Sequence, residues 1–303
     1  DERNSTVQMH EAVPILRMML AKMFCRKMAR QDKKAEEGAE PISGVGCVED
    51  VPFYRDLTAD VYSPCGGSDL PAVLDVHGGG LMYGDKRLNR RFCAALASCG
   101  FTVVSADYRL FPEASFRDAA EDVARAAEFT ARVYGKNGFY LAGDSAGAEL
   151  ALIADGAAAS EKVRAAFGID GKLAPPSDGL FLICGAFAFG KSVATALMGI
   201  RPGKGDYMKY TSADALFGEY LPRRVYLSSG KGDFLRRKTL KMHELLSARN
   251  VPVALDYVPT RRALGGRAFG HVFPVRHPEW SESDLIIRRA ARFLRGVPHQ
   301  SGE

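Results

Sequence analysis

Two short strings hold residues whose types and spacing suit chemistry. Residues 77–80 read His-Gly-Gly-Gly, and residues 143–147 read Gly-Asp-Ser-Ala-Gly. The second can present Ser145 on a sharp turn between a strand and a helix, and the first can offer backbone N–H groups to a negatively charged oxygen. A nucleophile together with donors for an oxyanion suits acyl transfer, most simply the hydrolysis of an ester. Gly-x-Ser-x-Gly alone is weak in a chain with 31 glycines, but His-Gly-Gly-Gly needs one of only six histidines. The bland reading of Ser145 is a helix N-cap in a glycine-rich turn.

A serine at its ordinary pKa is a poor nucleophile. It needs a base, and the base needs an acid to orient it. After a serine on such an elbow, the acid and then the histidine follow in chain order. Four histidines lie beyond Ser145. His243, between Met242 and Glu244, falls in a helical stretch, and His299 is in the tail. His271 sits in Phe269-Gly270-His271-Val272-Phe273, a loop between the last strand and the last helix, and is the expected base. His277, beside Pro278, is its rival. Asp233, a few residues beyond a strand ending at Ser228, is the expected acid, since α/β sheets place their sites at the C-terminal ends of strands. The competing reading makes it a helix N-cap. Asp206, Asp214 and Asp256 are weaker candidates.

The N–H groups of Gly79, Gly80 and Ala146 are the expected oxyanion donors, and glycine suits a place where a side chain would block the substrate. Asp144 completes the serine motif. Gly78 is expected to serve the turn, and His77 to brace the loop by hydrogen bonding. Leu81 and Tyr83, just past the glycines, are candidate pocket residues, with Met82 between them.

These residues need a scaffold. Apolar, β-favouring runs precede both strings, at Val73–Val76 and Phe139–Ala142, and a helix-forming run follows Ser145. Further strands are expected at residues 101–105, 180–184, 224–228 and 253–258. Helices are expected at 88–98, 118–134, 237–249 and 283–295. This alternation predicts a mostly parallel sheet with helices on both faces. Residues 45–64 predict an antiparallel start. Residues 14–34 predict an amphipathic helix opened by Pro14, with apolar Met18, Met19 and Met23 and basic Arg26, Lys27 and Arg30. It can be a packing helix, a cap whose methionines line an acyl pocket, or a membrane-surface helix.

The chain resembles the hormone-sensitive-lipase-like branch of the α/β-hydrolase superfamily, the bacterial carboxylesterases with an HGGG motif. The resemblance rests on residues 77–80, on Asp107-Tyr108-Arg109-Leu110-Phe111-Pro112-Glu113, on residues 143–147, and on the pairs Asp233-x-Leu235 and His271-x-Phe273. They run in the family's order from residue 77 to 273. Phe111 replaces the family's usual small residue, and the loop before His271 is unusually basic, with Arg261, Arg262 and Arg267. The resemblance implies an α/β-hydrolase fold with a helical cap. Residues 1–40 would be the cap helix and connector, 41–185 with 223–303 the core, and 186–222 a cap insertion. It also implies a serine carboxylesterase for short- to medium-chain esters, with Arg109 and Glu113 bracing a loop. Lactone, amide or thioester hydrolysis would use the same parts, and a hydrolase-fold ligand-binding protein without catalysis is the alternative of another class.

Composition narrows the partners. A net charge of +5 over 303 residues calls for no nucleic acid. No run of about 18 apolar residues exists, so no stable membrane insertion is expected. A small-molecule ester is the expected partner, with no metal or cofactor, and homo-oligomerisation stays open. Six cysteines without paired spacing read as reduced, mostly buried thiols of a cytoplasmic protein. The chain starts at Asp1 rather than Met, which leaves a removed leader open.

Overall fold

The computed structural model describes residues 19, 22, 23, 25–35, 37, 42–187, 205–263 and 266–297. Eight strands form one sheet: β1 (Val45–Tyr54), β2 (Leu57–Pro64), β3 (Ala72–Val76), β4 (Thr102–Ala106), β5 (Phe139–Asp144), β6 (Leu180–Ile183), β7 (Val225–Gly230) and β8 (Val253–Val258). Their order is β1-β2-β4-β3-β5-β6-β7-β8. β1 pairs antiparallel with β2, and β2 antiparallel with β4. From β4 to β8 every pairing is parallel. The central strands are buried throughout, as parallel strands covered on both faces must be, and so they read as apolar runs rather than alternations.

The helices are α1 (residues 25–35), α2 (Arg90–Ser98), α3 (Phe116–Val133), α4 (Ala146–Ala159), α5 (Glu161–Phe167), α6 (Ala213–Leu216), α7 (Arg236–Ser247), α8 (Phe273–Arg276) and α9 (Ser281–Leu294). Two cores flank the sheet. On one face Phe116 of α3, Leu150 of α4 and Leu246 of α7 pack with Leu74, Leu141 and Leu227. On the other, Phe92 and Leu96 of α2 and Ile286 and Leu294 of α9 pack with Val73, Phe181 and Tyr226. Alternate residues of each strand feed opposite cores because side chains on a strand alternate in direction.

The expected helices start and end within about two residues of α2, α3, α7 and α9. Helices α5 and α8 are additions. α5 has a readable start and stop: Ser160 Oγ accepts from Val163 N–H, and Gly168 takes a left-handed φ of 67° at its end. Of the expected N-terminal helix, residues 14–18 lie outside the described residues, and residues 25–35 are helical. Of the expected insertion, 188–204 lie outside. Residues 205–222 hold a 3-10 turn (Asp206–Thr211) and α6, with Tyr207, Leu216 and Phe217 buried in the α3–α4 core.

One expectation is corrected. All six cysteines are free, but only Cys93 and Cys184 are buried. Cys25 and Cys99 are half-buried, and Cys47 and Cys65 are exposed. Cys47 lies on edge strand β1 and Cys65 in the turn after β2. Among the described residues no helix is long and apolar enough to cross a membrane.

Candidate active site

Adjacent parallel strands bring the motifs together. β3 and β5 are neighbours, with Val76 opposite Gly143, so residues 77–80 and Ser145 emerge side by side at their C-terminal ends. Asp233 follows β7 and His271 follows β8, which are paired up to Gly230 and Val258. Four loops at one sheet end thus supply the site.

Ser145 sits between β5 and α4 with φ 51° and ψ −116°. A non-glycine residue there carries strain of about 1–3 kcal/mol. The Ser145 N–H donates to Ile183 O at 2.9 Å, and its own carbonyl accepts from Ala186 N–H at 2.9 Å. These bonds hold the turn, while the side chain makes no capping bond to α4. The flanking glycines are required by close approach. A Cβ on Gly147 would overlap the Val76 and His77 carbonyls, and one on Gly143 would stand 2.8 Å from Gly147. The helix can therefore start directly against the end of β3.

The imidazole of His271 links two groups. Its Nε2 lies 2.9 Å from Ser145 Oγ, and its Nδ1 lies 2.7 Å from Asp233 Oδ1. Asp233 is fully buried. Its Oδ2 accepts from Ser229 Oγ at 2.7 Å and its Oδ1 from Leu235 N–H at 2.9 Å. Burial alone pushes this carboxyl up, but the bond to His271, the imidazole's charge, and the bonds from Leu235 and Ser229 outweigh it and hold it below the usual range. It is a carboxylate at neutral pH. The Val272 N–H donates to Cys184 Sγ at 3.4 Å and ties the histidine loop to the end of β6.

The other candidates stand elsewhere. His277 stacks on Trp280, with centroids 4.1 Å apart, and pairs with Glu279. His243 lies on α7, and His299 is outside the described residues. Asp214 pairs with Arg249 at 2.6 Å, Asp256 meets Tyr226 and Arg289, and Asp206 opens the 3-10 turn.

Residues 77–80 form a buried, braced loop. His77 is fully buried. Its Nδ1 lies 2.9 Å from the Gly78 carbonyl, so that nitrogen carries the proton and donates. Its ring stacks on Tyr108 at 4.3 Å, and the Tyr108 hydroxyl donates to the His77 and Gly78 carbonyls. Gly78 differs from expectation. It does not occupy the positive-φ region; its N–H donates to Asp144 Oδ1 at 2.9 Å, and a Cβ there would overlap the Asp144 carboxyl. The turn residues are Gly79 (φ 96°) and Gly80 (φ 64°). A Cβ on Gly79 would overlap the Tyr83 carbonyl. Asp144 also accepts from Asn89, which bridges to Asp75. Leu81 is buried at 2% exposure and its carbonyl accepts from Phe111 N–H, so it packs inward; Tyr83 is half-buried.

Helix α1 touches two of these loops. Cys25 Sγ donates to Met82 O at 3.1 Å, and Asp32 accepts from Arg276 Nε at 3.0 Å, just past His271. Arg109 forks onto Asp122 at 2.7 Å, as a bracing residue should. Glu113 is exposed, and no ion pair holds it among the described residues, which corrects its expected bracing role. Asn89, Ser229 and Cys184 escaped the sequence analysis as site residues, and Tyr108 entered it only as part of the Asp107–Glu113 string. They are common residue types that reach the site only through tertiary contacts.

Among the described residues one group holds three metal-ligating side chains, Cys184, Asp233 and His271, with ligand atoms within 4.8 Å. The 2.7 Å separation of Nδ1 and Oδ1 is a hydrogen bond. Two ligands of a tetrahedral zinc ion lie about 3.3 Å apart. Such an arrangement can pass a proton between a serine hydroxyl and an imidazole, with a carboxylate beside the imidazole that can stabilise its protonated form.

Residues 73–261 match the family described as alpha/beta hydrolase fold, and the chain belongs to this family. Esterase B from Lactobacillus rhamnosis superposes with a TM-score of 0.84 at 24% identity, covering 94% of this chain and 96% of that one. An esterase from Pyrobaculum calidifontis gives 0.69 at 24% identity, covering 95% and 99%. These likenesses establish the fold. An acetyl esterase of Salmonella paratyphi B is 38% identical over 115 residues, which are 35% of this chain and 34% of that protein. The non-reducing polyketide synthase Preu3 of Preussia isomera is 45% identical over 71 residues, 21% of this chain and 3% of the synthase. The match thus spans about a third of the acetyl esterase and a small part of the synthase.

Proposed function

We propose that the protein is a serine carboxylesterase acting on short- to medium-chain esters, with Ser145 as nucleophile, His271 as base and Asp233 as orienting acid. The observation that carries this reading is the hydrogen-bond chain from Asp233 through His271 to Ser145. The strained backbone at Ser145 supports it, because an N-cap serine needs no strain and would bond to its helix. The esterases among the similar proteins support the substrate class.

In this mechanism Ser145 Oγ attacks the ester carbonyl and His271 Nε2 takes its proton. The carbonyl oxygen becomes an oxyanion and is met by the N–H groups of Ala146, Gly79 and Gly80. Asp233 keeps the proton on Nδ1 and stabilises the imidazolium. The imidazolium returns its proton to the leaving alkoxide, which departs as the alcohol. Water, deprotonated by the same histidine, then cleaves the acyl-enzyme, releasing the acid and restoring Ser145. The loop braced by His77 and Tyr108 holds its donors in place without reorganisation during the reaction.

Ser145→Ala tests this directly. It is expected to abolish turnover of p-nitrophenyl acetate and labelling by a serine-reactive phosphonate, with an unchanged circular dichroism spectrum. Retained turnover overturns the assignment. A wild-type protein that neither labels nor turns over ester favours the ligand-binding alternative.

A further inference from the structure

We propose that Phe234 selects the alcohol portion of the ester, favouring bulky apolar alcohols over small ones. The inference rests on the esterase reading above. Phe234 is 71% exposed, the most exposed of the large apolar side chains among the described residues. A single exposed phenylalanine needs no special explanation by itself. Its position does. It directly follows Asp233, and its ring lies 4.3 Å from the His271 imidazole, tilted by 43°.

The turn that presents it is fixed on both sides. Asp233 N–H donates to Gly230 O at 3.0 Å, and Leu235 N–H donates to Asp233 Oδ1 at 2.9 Å. The buried acid thus locks the backbone on either side of Phe234, so the ring stands on rigid support rather than on a loose tip.

Geometry decides which half of the substrate meets this ring. The carbonyl oxygen turns toward the amides of Gly79, Gly80 and Ala146. The leaving oxygen must come within hydrogen-bond distance of His271 Nε2 to receive its proton. A group attached to that oxygen therefore extends beside the imidazole, and Phe234 is an apolar surface lying against the imidazole. An apolar alcohol would cover a ring face now open to water, and a methyl group would reach little of it. Discrimination of about tenfold in kcat/KM is expected, the scale of one to two methylene equivalents of apolar contact.

The test measures kcat/KM of wild type, Phe234→Ala and Phe234→Tyr on two series. One varies the alcohol at fixed acyl group: methyl, butyl and benzyl acetate. The other varies the acyl group at fixed alcohol: p-nitrophenyl acetate, butyrate and hexanoate. In Phe234→Ala the benzyl-over-methyl preference is expected to fall about tenfold, chiefly through KM, while the acyl preference stays as in wild type. Phe234→Tyr, which keeps the ring, should restore the benzyl preference. An unchanged alcohol preference in Phe234→Ala, or an acyl preference that falls as much, overturns the proposal. Ser145→Ala run on the same esters separates the two ideas. If that variant is inactive and Phe234→Ala keeps the wild-type alcohol preference, only the role of Phe234 fails. If Ser145→Ala stays active, the esterase mechanism itself fails.

Discussion

Asp233 is buried and its carboxyl has three hydrogen-bond partners, so its replacement reports on charge as well as shape. Asp233→Asn keeps the volume but removes the carboxylate that fixes the proton on His271 Nδ1. It is expected to lower kcat by roughly 10⁴-fold with a folded protein, the scale seen when such an acid loses its charge. Steady-state kinetics on p-nitrophenyl acetate checks this, and a loss under tenfold would remove Asp233 from the mechanism. Gly147 makes a steric prediction. Its Cβ has no room against the Val76 and His77 carbonyls, so Gly147→Ala must push α4 away from β3. A stability loss of about 1–3 kcal/mol in urea melts is expected, with a disproportionate loss of activity. At this scale the sequence was informative where a residue has few other uses. His77 with three glycines, and Ser145 between two, are unusual strings. Asn89, Tyr108 and Ser229 are not legible in that way. A serine four residues before Asp233 says nothing until the turn after β7 folds it back to 2.7 Å.

The elements were legible through burial and punctuation. β3, β5 and β6 announce themselves as apolar runs because both of their faces are covered, and the helices that cover them end at Gly100 and near Gly135. α8 had no such signal. It is four residues long and follows Val272, which takes a left-handed φ of 53° that no β-branched residue advertises. α3 offers a test confined to one element. Ser115 and Asp118 cap it reciprocally, Oγ accepting from Asp118 N–H at 3.3 Å and Asp118 Oδ2 accepting from Ser115 N–H at 2.8 Å. Ser115→Ala is expected to cost about 1 kcal/mol in chemical denaturation and to leave kcat/KM unchanged, since α3 touches no proposed catalytic group. A change in activity without a change in stability would contradict this separation.

For the whole molecule, the support beneath the site sets a pH dependence of stability. Asp75 is fully buried, next to Asp144, with Asn89 between them. Burial, and then the charge of Asp144, push the Asp75 carboxyl up to about 7, from 3.8 in an open chain. Between these values the native protein holds a proton that the unfolded chain has released. Stability contributed by this group is therefore greatest in acid, falls as pH rises from about 4 to 7, and is level above. Asp75→Asn removes the titration. Thermal melts from pH 5 to pH 8 should show wild type losing stability relative to this variant, and a difference independent of pH would refute the account. No sequence pattern announced this. Asp75 sits within an apolar strand, and only the folded sheet places Asp144 opposite the same asparagine.

His77 offers a consequence that is spectroscopic. Its Nδ1 proton is committed to the Gly78 carbonyl, its Nε2 is buried with no hydrogen-bond partner among the described residues, and burial lowers its basicity. The ring is thus frozen in the less common tautomer and closed to solvent. In nitrogen-15 spectra it should appear as a protonated Nδ1 beside a bare Nε2, with shifts that hold still from pH 8 down to pH 5. A still signal during a titration would report that the glycine loop remains seated, independently of any substrate.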